Sequence, residues 1–294
     1  MAVLARAVYL RSIDGPEFNS LCNRASVTVE AFLLPGLANP EQCTMPAKDV
    51  IVIGTSTGGI EATKILVRDL PRDFKASLFI VLQIGADGLG ILPEILGQAG
   101  SLPASNAKDG EMFEPGHIYV APPDHHLLLE RPRHLRVSRG PKENRSRPAV
   151  DPLFRSAAYA FGPRVIGVIL TCGLDDGTAG LWSIKARGGT AVVQDPEEAI
   201  AASMPLSALK HVSVDHCMRL EEIASLLVKL SRMPVEEKEA LPMPKQMEAE
   251  INIAKEANAM ESGIMDWGEP SYYVCPECHG VLLQLKEESS LRFR

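Results

Sequence analysis

Residues 49 to 59, Asp-Val-Ile-Val-Ile-Gly-Thr-Ser-Thr-Gly-Gly, set Ser56 inside a Gly-x-Ser-x-Gly frame where an apolar run meets a helical pattern. A serine so placed can act as a nucleophile. Gly54, Gly58 and Gly59 permit the tight turn this requires, and the N–H groups of Thr57 and Gly58 at the helix start are candidate oxyanion donors. The same turn could instead bind a phosphate or simply connect two elements. Against nucleotide binding, it has neither the lysine of a P-loop nor the third glycine spacing of a dinucleotide fingerprint. A nucleophilic hydroxyl needs a base, and the base is commonly oriented by a buried acid. Thr171-Cys-Gly-Leu-Asp175-Asp176-Gly177-Thr178 follows the apolar run Val165 to Leu170 and opens another helical pattern. Asp175 or Asp176 could orient a histidine there, or could only cap the helix that follows.

These groups converge only if the chain folds as alternating strands and helices. Val50 to Ile53, Leu78 to Gln83, His117 to Ala121, Val165 to Leu170 and Thr190 to Gln194 read as strands. Helical patterns fall near 60–70, 89–98, 151–161, 179–186, 204–210 and 220–230, the last with Leu220, Ile223, Leu227 and Leu230 on one face. That order predicts an α/β fold, a doubly wound parallel sheet in a Rossmann-like three-layer arrangement. In such sheets ligands bind outside the carboxyl ends of the strands. Ser56, the residues after Gln83, Pro122 to His126, and Thr171 to Thr178 then share one neighbourhood.

At 294 residues and 46% apolar composition the chain can bury one full α/β core with appendages. Residues 1–45 read as a flexible leader, 46–232 as the folded unit and 233–247 as a Pro-rich, charged linker. A helix near Glu248 to Met260 and the Cys275-Pro-Glu-Cys278 knuckle make up the C-terminal extension, 248–294. The cysteine pair could be half of a zinc site or a plain pair of thiols. The other cysteines, Cys22, Cys43, Cys172 and Cys217, are too scattered for a disulfide framework. No apolar run is long enough to span a bilayer and the N-terminus lacks a secretory pattern, so no membrane insertion and a cytoplasmic location are expected. The net charge of −7 lies mostly in the tail and argues against nucleic acid. One basic stretch, Arg131 to Arg147, reads as a solvated loop or a docking surface for an acidic partner.

From Val50 to about Arg232 the chain resembles the catalytic domain of the chemotaxis protein-glutamate methylesterases, commonly called CheB. The resemblance rests on Ile-Gly-Thr-Ser-Thr-Gly-Gly (53–59), Asp109-Gly-Glu, Pro115-Gly-His-Ile-Tyr-Val-Ala-Pro122 and Asp124-His-His126. It continues through Arg147-Pro-x-Val-Asp151-x-Leu-Phe154-x-Ser156, Gly167-Val-Ile-Leu-Thr171, Asp176-Gly177 and Ala202-Ser-Met-Pro205. It implies a serine hydrolase, Ser56 the nucleophile and Asp176 the triad acid, that removes methyl esters from receptor glutamates. Glutamine deamidation is implied as a second activity, methylated chemoreceptor helices as partners, and no cofactor for catalysis.

Two departures qualify that expectation. Family members place the triad histidine directly after the second strand, in a Gln-His-Met-Pro pattern, and this chain has Gln83-Ile84-Gly85-Ala86. Cys172-Gly173-Leu174 stands where the family has Gly-Met-Gly. His126 or His125 is a substitute base on the correct side of the sheet, if it reaches Ser56. His211 or His216 would reproduce the Ser, Asp, His chain order of α/β-hydrolases. Without a base, the alternative is a catalytically silent binding module in a chemosensory pathway. Residues 1–45 stand where family members carry a receiver domain, so regulation is expected from a partner or from the C-terminal segment. The tail resembles an extension of some stand-alone relatives, cut before its second Cys and His.

Overall fold

The computed structural model describes residues 47–173, 175–235, 245–256, 266, 268–274, 280–286 and 291–293. The leader expected over 1–45 and the pair Cys275 and Cys278 lie outside these residues.

Seven strands form one parallel sheet: β1 (Val50–Thr55), β2 (Ser77–Leu82), β3 (Ala104–Asn106), β4 (Ile118–Val120), β7 (Val165–Ile169), β8 (Thr190–Gln194) and β9 (His216–Met218). Their order is β3-β4-β2-β1-β7-β8-β9. All six pairings are parallel. The sheet thus grows from β1 to one side first and then, after β7, to the other. That reversal leaves a crevice at the carboxyl ends of β1 and β7.

Alternation along β1 explains the layers. Val50 and Val52 point into the core shared with α3 (Val150–Phe161), α4 (Thr178–Ala186) and α5 (Ser203–His211). Ile51 and Ile53 point into the opposite core with α1 (Gly59–Arg68), α2 (Leu92–Ala99) and α6 (Leu220–Leu230). All four side chains are fully buried. At about 2 kcal/mol for each such side chain, this strand alone anchors the Ser56 turn to both layers. The doubly wound, three-layer sheet expected from the sequence is the fold observed.

A hairpin of β5 (His126–Glu130) and β6 (His134–Ser138) lies outside the main sheet. It was not expected, because β6 sits inside the basic stretch. Five of the seven cations in that stretch contact groups of the fold itself. Arg136 pairs with Asp109 at 2.9 Å, and Arg139 and Arg147 both reach Asp124, at 2.5 and 2.7 Å. Arg131 Nε donates to the Ala160 carbonyl at 2.5 Å, and Arg133 lies over the Phe113 ring at 5.0 Å.

Helix α7 (Lys245–Ala254), expected over 248–260, packs Met247, Ile251 and Ala254 against Leu128 of the hairpin. Strands β10 (Gly268–Val274), β11 (Val281–Lys286) and β12 (Leu291–Phe293) form an antiparallel sheet. Among the described residues no helix is long and apolar enough to cross a membrane.

Candidate active site

Ser56 and Asp176 are presented by the same device on two adjacent strands. β1 ends at Thr55, and Ser56 and Thr57 lead to Gly58, which begins α1 with φ of 77°. β7 leads through 170–175 to Asp176 and then Gly177, which begins α4 with φ of 89°. Both glycines occupy the left-handed region, where a side chain is strained. A Cβ at Gly58 would also stand 2.7 Å from Ile200 Cδ1.

The two loops are stitched together. Ser56 N–H donates to the Thr171 carbonyl at 3.2 Å, and Thr55 Oγ1 donates to the same oxygen at 2.8 Å. Thr171 Oγ1 returns a bond to the Thr57 carbonyl at 2.9 Å. Among the described residues the N–H groups of Thr57 and Gly58 make no backbone bond outside the helix, and both residues stand at the start of α1. Free N–H groups at that end can hold a developing oxyanion.

Asp176 does not cap α4; that helix has no side-chain cap. Its carboxylate is fully buried and collects four donors. Oδ1 accepts from Asn144 Nδ2 at 2.6 Å and Asp151 N–H at 3.2 Å; Oδ2 accepts from Val150 N–H at 2.6 Å and from Gln83 Nε2. Burial, and next the charge of Asp151, push its pKa well above the usual carboxylate range. The bonds from Val150 N–H and Asn144 oppose that rise, and Glu143 adds to it. Asp151 is itself held by Asn144 Nδ2 at 2.9 Å and by Gly180 N–H at 2.6 Å.

Between the serine and the acid, the structure puts an amide and a thiol. Gln83 Nε2 bonds Asp176, and Cys172 Sγ lies 3.4 Å from Gln83 Oε1 and 3.1 Å from the Gly173 carbonyl, either of which can accept its one proton; Ser56 neighbours the same thiol. Burial pushes the Cys172 thiol up to about 12; the Ser56 bond lowers it and the Asp176 charge raises it further. A neutral amide and a thiol so shifted are not bases at neutral pH. Ile84 follows Gln83, half-buried, its Cδ1 against Gly88.

Among the described residues no hydrogen bond joins a candidate histidine to Ser56. His126 is fully buried, with Nε2 on the Pro141 carbonyl at 3.0 Å and Nδ1 accepting from Ala149 N–H at 3.3 Å. Both ring nitrogens are therefore engaged. His125 Nδ1 bonds the Pro123 carbonyl at 2.8 Å. His211 ends α5 and His216 begins β9, which in a parallel sheet puts both at the amino ends of the strands, away from Ser56.

Asn144, Gln83 and Cys172 were not picked out as site side chains from the sequence. The available signal for Asn144 was an asparagine flanked by charged residues in a loop, a residue that tolerates positive φ; here φ is 50°. Among the described residues no cluster of three or more His, Cys, Asp or Glu could hold a metal ion.

Comparison with known proteins converges on the same region. The model of the CheB methylesterase family matches residues 51–227. A Leptospira interrogans protein, provisionally named a protein-glutamate methylesterase/protein-glutamine glutaminase, is 42% identical over 190 residues, covering 65% of this chain and 98% of its own length. Methanosarcina mazei protein-glutamate methylesterase/protein-glutamine glutaminase 2 is 32% identical over 63% of this chain, which spans only 52% of that longer relative. The crystal structure of the Thermotoga maritima CheB methylesterase catalytic domain superposes with a TM-score of 0.60 at 32% identity, covering 62% of this chain and 98% of that domain. With the parallel sheet, the Ser56 turn and the Asp176 loop all inside the matched span, the chain belongs to the CheB methylesterase family.

Proposed function

We infer that this chain is a protein-glutamate methylesterase, with glutamine deamidation as the related reaction, whose turnover is slowed by the absence of an imidazole beside Ser56. One observation carries the reading. Ser56 and Asp176 stand on two stitched strand ends, linked through Cys172 and Gln83, with the Thr57 and Gly58 N–H groups next to the serine. Ser56 Oγ attacks the ester carbonyl, the turn N–H groups hold the oxyanion, and methanol leaves after taking a proton. Water then hydrolyses the acyl-serine. With no histidine to move these protons, water relays them: it takes the Ser56 proton and gives one to the leaving methoxide, then takes one from the attacking water and returns one to Ser56, leaving about 10³ to 10⁴ of rate over water from binding and oxyanion stabilisation. The proposed substrate is a methylated glutamyl side chain on a chemoreceptor helix, met in the cytoplasm.

A second reading is a silent module that binds the same helix without hydrolysis. It is favoured by Ile84 at the place of the expected base and by the lack, among the described residues, of a hydrogen bond from any candidate histidine to Ser56. Methanol release from methylated receptor fragments decides between them, with Ser56→Ala and Ile84→His measured beside the parent. Ser56-dependent release from the parent supports the slow esterase. No release from the parent, with retained receptor binding, supports the module.

A further inference from the structure

Three of the four donors to Asp176 come from the segment 144–151, so what holds that segment holds the acid. The segment begins in a turn closed by reciprocal backbone bonds between Glu143 and Ser146, at 3.2 and 2.9 Å, with Asn144 and Arg145 both at positive φ. Such a turn needs outside support, because two consecutive non-glycine residues in the left-handed region are strained. Arg147 bonded to Asp124 supplies one anchor. The other is buried. Glu143 forks onto Arg155 of α3, with Nη1 to Oε1 at 2.7 Å and Nη2 to Oε2 at 2.5 Å.

The remaining edge of that guanidinium belongs to the C-terminal extension. Arg155 Nε lies 3.2 Å from Glu250 Oε2 on α7, and both side chains are almost wholly buried. That contact is an ion pair without hydrogen-bond geometry: the Glu143 fork holds one edge of the guanidinium, and the buried charge of Glu250 attracts the other, which biases the direction in which Arg155 presents its fork. Helix α7 is seated for this by the Leu128 contact, by Ser138 Oγ on the Ala254 carbonyl at 2.5 Å, and by Lys255 on Glu130 at 2.6 Å.

We propose that Glu250 is a positioning residue for the Asp176 carboxylate, acting from the C-terminal helix through Arg155, Glu143 and the Asn144 turn. The link makes α7 part of the site's support, although it approaches from outside the span matched by the family model. Its catalytic meaning rests on the reading of Ser56 and Asp176 given above; the mechanical link does not.

Amide hydrogen exchange by NMR on the full chain tests it, with Val150 and Asp151 N–H as reporters. Glu250→Gln keeps the shape and removes the charge. The expected result is exchange about tenfold or more faster at these two amides, because the substitution leaves the buried Arg155 charge with one partner fewer, with β1 amides unchanged. Where methanol release is measurable, kcat falls at constant KM. Arg68→Met, which removes an exposed ion pair with Asp69 at the far end of α1, is expected to change neither. Unchanged exchange at Val150 and Asp151 in folded Glu250→Gln overturns the proposal. If that variant does not fold, Glu250→Asp is read by the same criterion. Faster exchange with no methanol from any variant keeps the link and sinks the esterase reading; unchanged exchange with Ser56-dependent methanol does the reverse.

Discussion

The acid half of the site and the nucleophile half are built to different standards. Asp176 is sealed from solvent and held by donors from β2's end, from α3's start and from the Asn144 turn. Ser56 is only half-buried and its hydroxyl meets a thiol. The contrast teaches that Asp176 is a structural keystone as well as a candidate triad member, because removing it strands several buried donors. Position 84, where the base was expected, holds an isoleucine that packs against the core on the α1, α2 and α6 side and touches Gly88.

The sharpest way to break the comparison is Asp176→Ala. Four donors lose their acceptor in the core, and about 4 kcal/mol or more of stability should disappear in urea titrations. A loss below about 1 kcal/mol would show that the acid half is no better fastened than the serine half. Next, Ile84→His should raise methanol release about 10²-fold or more if the imidazole displaces Gln83 from Asp176. No gain, in a variant that folds, would mean that the base position is not the missing part. His126→Ala should cost about 2 kcal/mol, since Ala149 N–H and the Pro141 carbonyl lose their partner, while release per folded molecule stays unchanged. Loss of all release in the folded variant would restore His126 as the base.

A smaller effect follows from the raised pKa of Asp176. Above about pH 3.8 the unfolded chain has released a proton that the folded state still holds, so this group's contribution to stability falls as pH rises toward its folded pKa. Thermal unfolding followed against pH should show this negative slope in the parent and a flatter one in Asp176→Asn. Ser56→Ala should be the mildest change, within about 0.5 kcal/mol of the parent.

Most of the fold was legible because its central strands are apolar on both faces and its helices carry a clear stripe. Val50 to Ile53 and Thr190 to Gln194 needed no tertiary information. The hairpin β5–β6 was not picked out, since its strands owe their burial to α3 and α7; β6, His-Leu-Arg-Val-Ser, does alternate polar and apolar residues, but over only five positions inside a basic stretch. Strand β3, only Ala104–Asn106 and half-buried, leaves no pattern at all. Within the site, Ser56 stood out by its glycine frame, whereas only the family resemblance separated Asp176 from Asp175. Asn144, Gln83 and Cys172 did not, because their roles come from contacts across long stretches of chain.

The Thr171 carbonyl accepts from both Thr55 Oγ1 and the Ser56 N–H. That single oxygen turns two loops into one lever, so a load placed on one end is felt at the other. A covalent phosphonate on Ser56 should therefore be visible as a shift in the 13C resonance of the buried Asp176 carboxyl, giving this protein an internal gauge of serine occupancy that works without turnover.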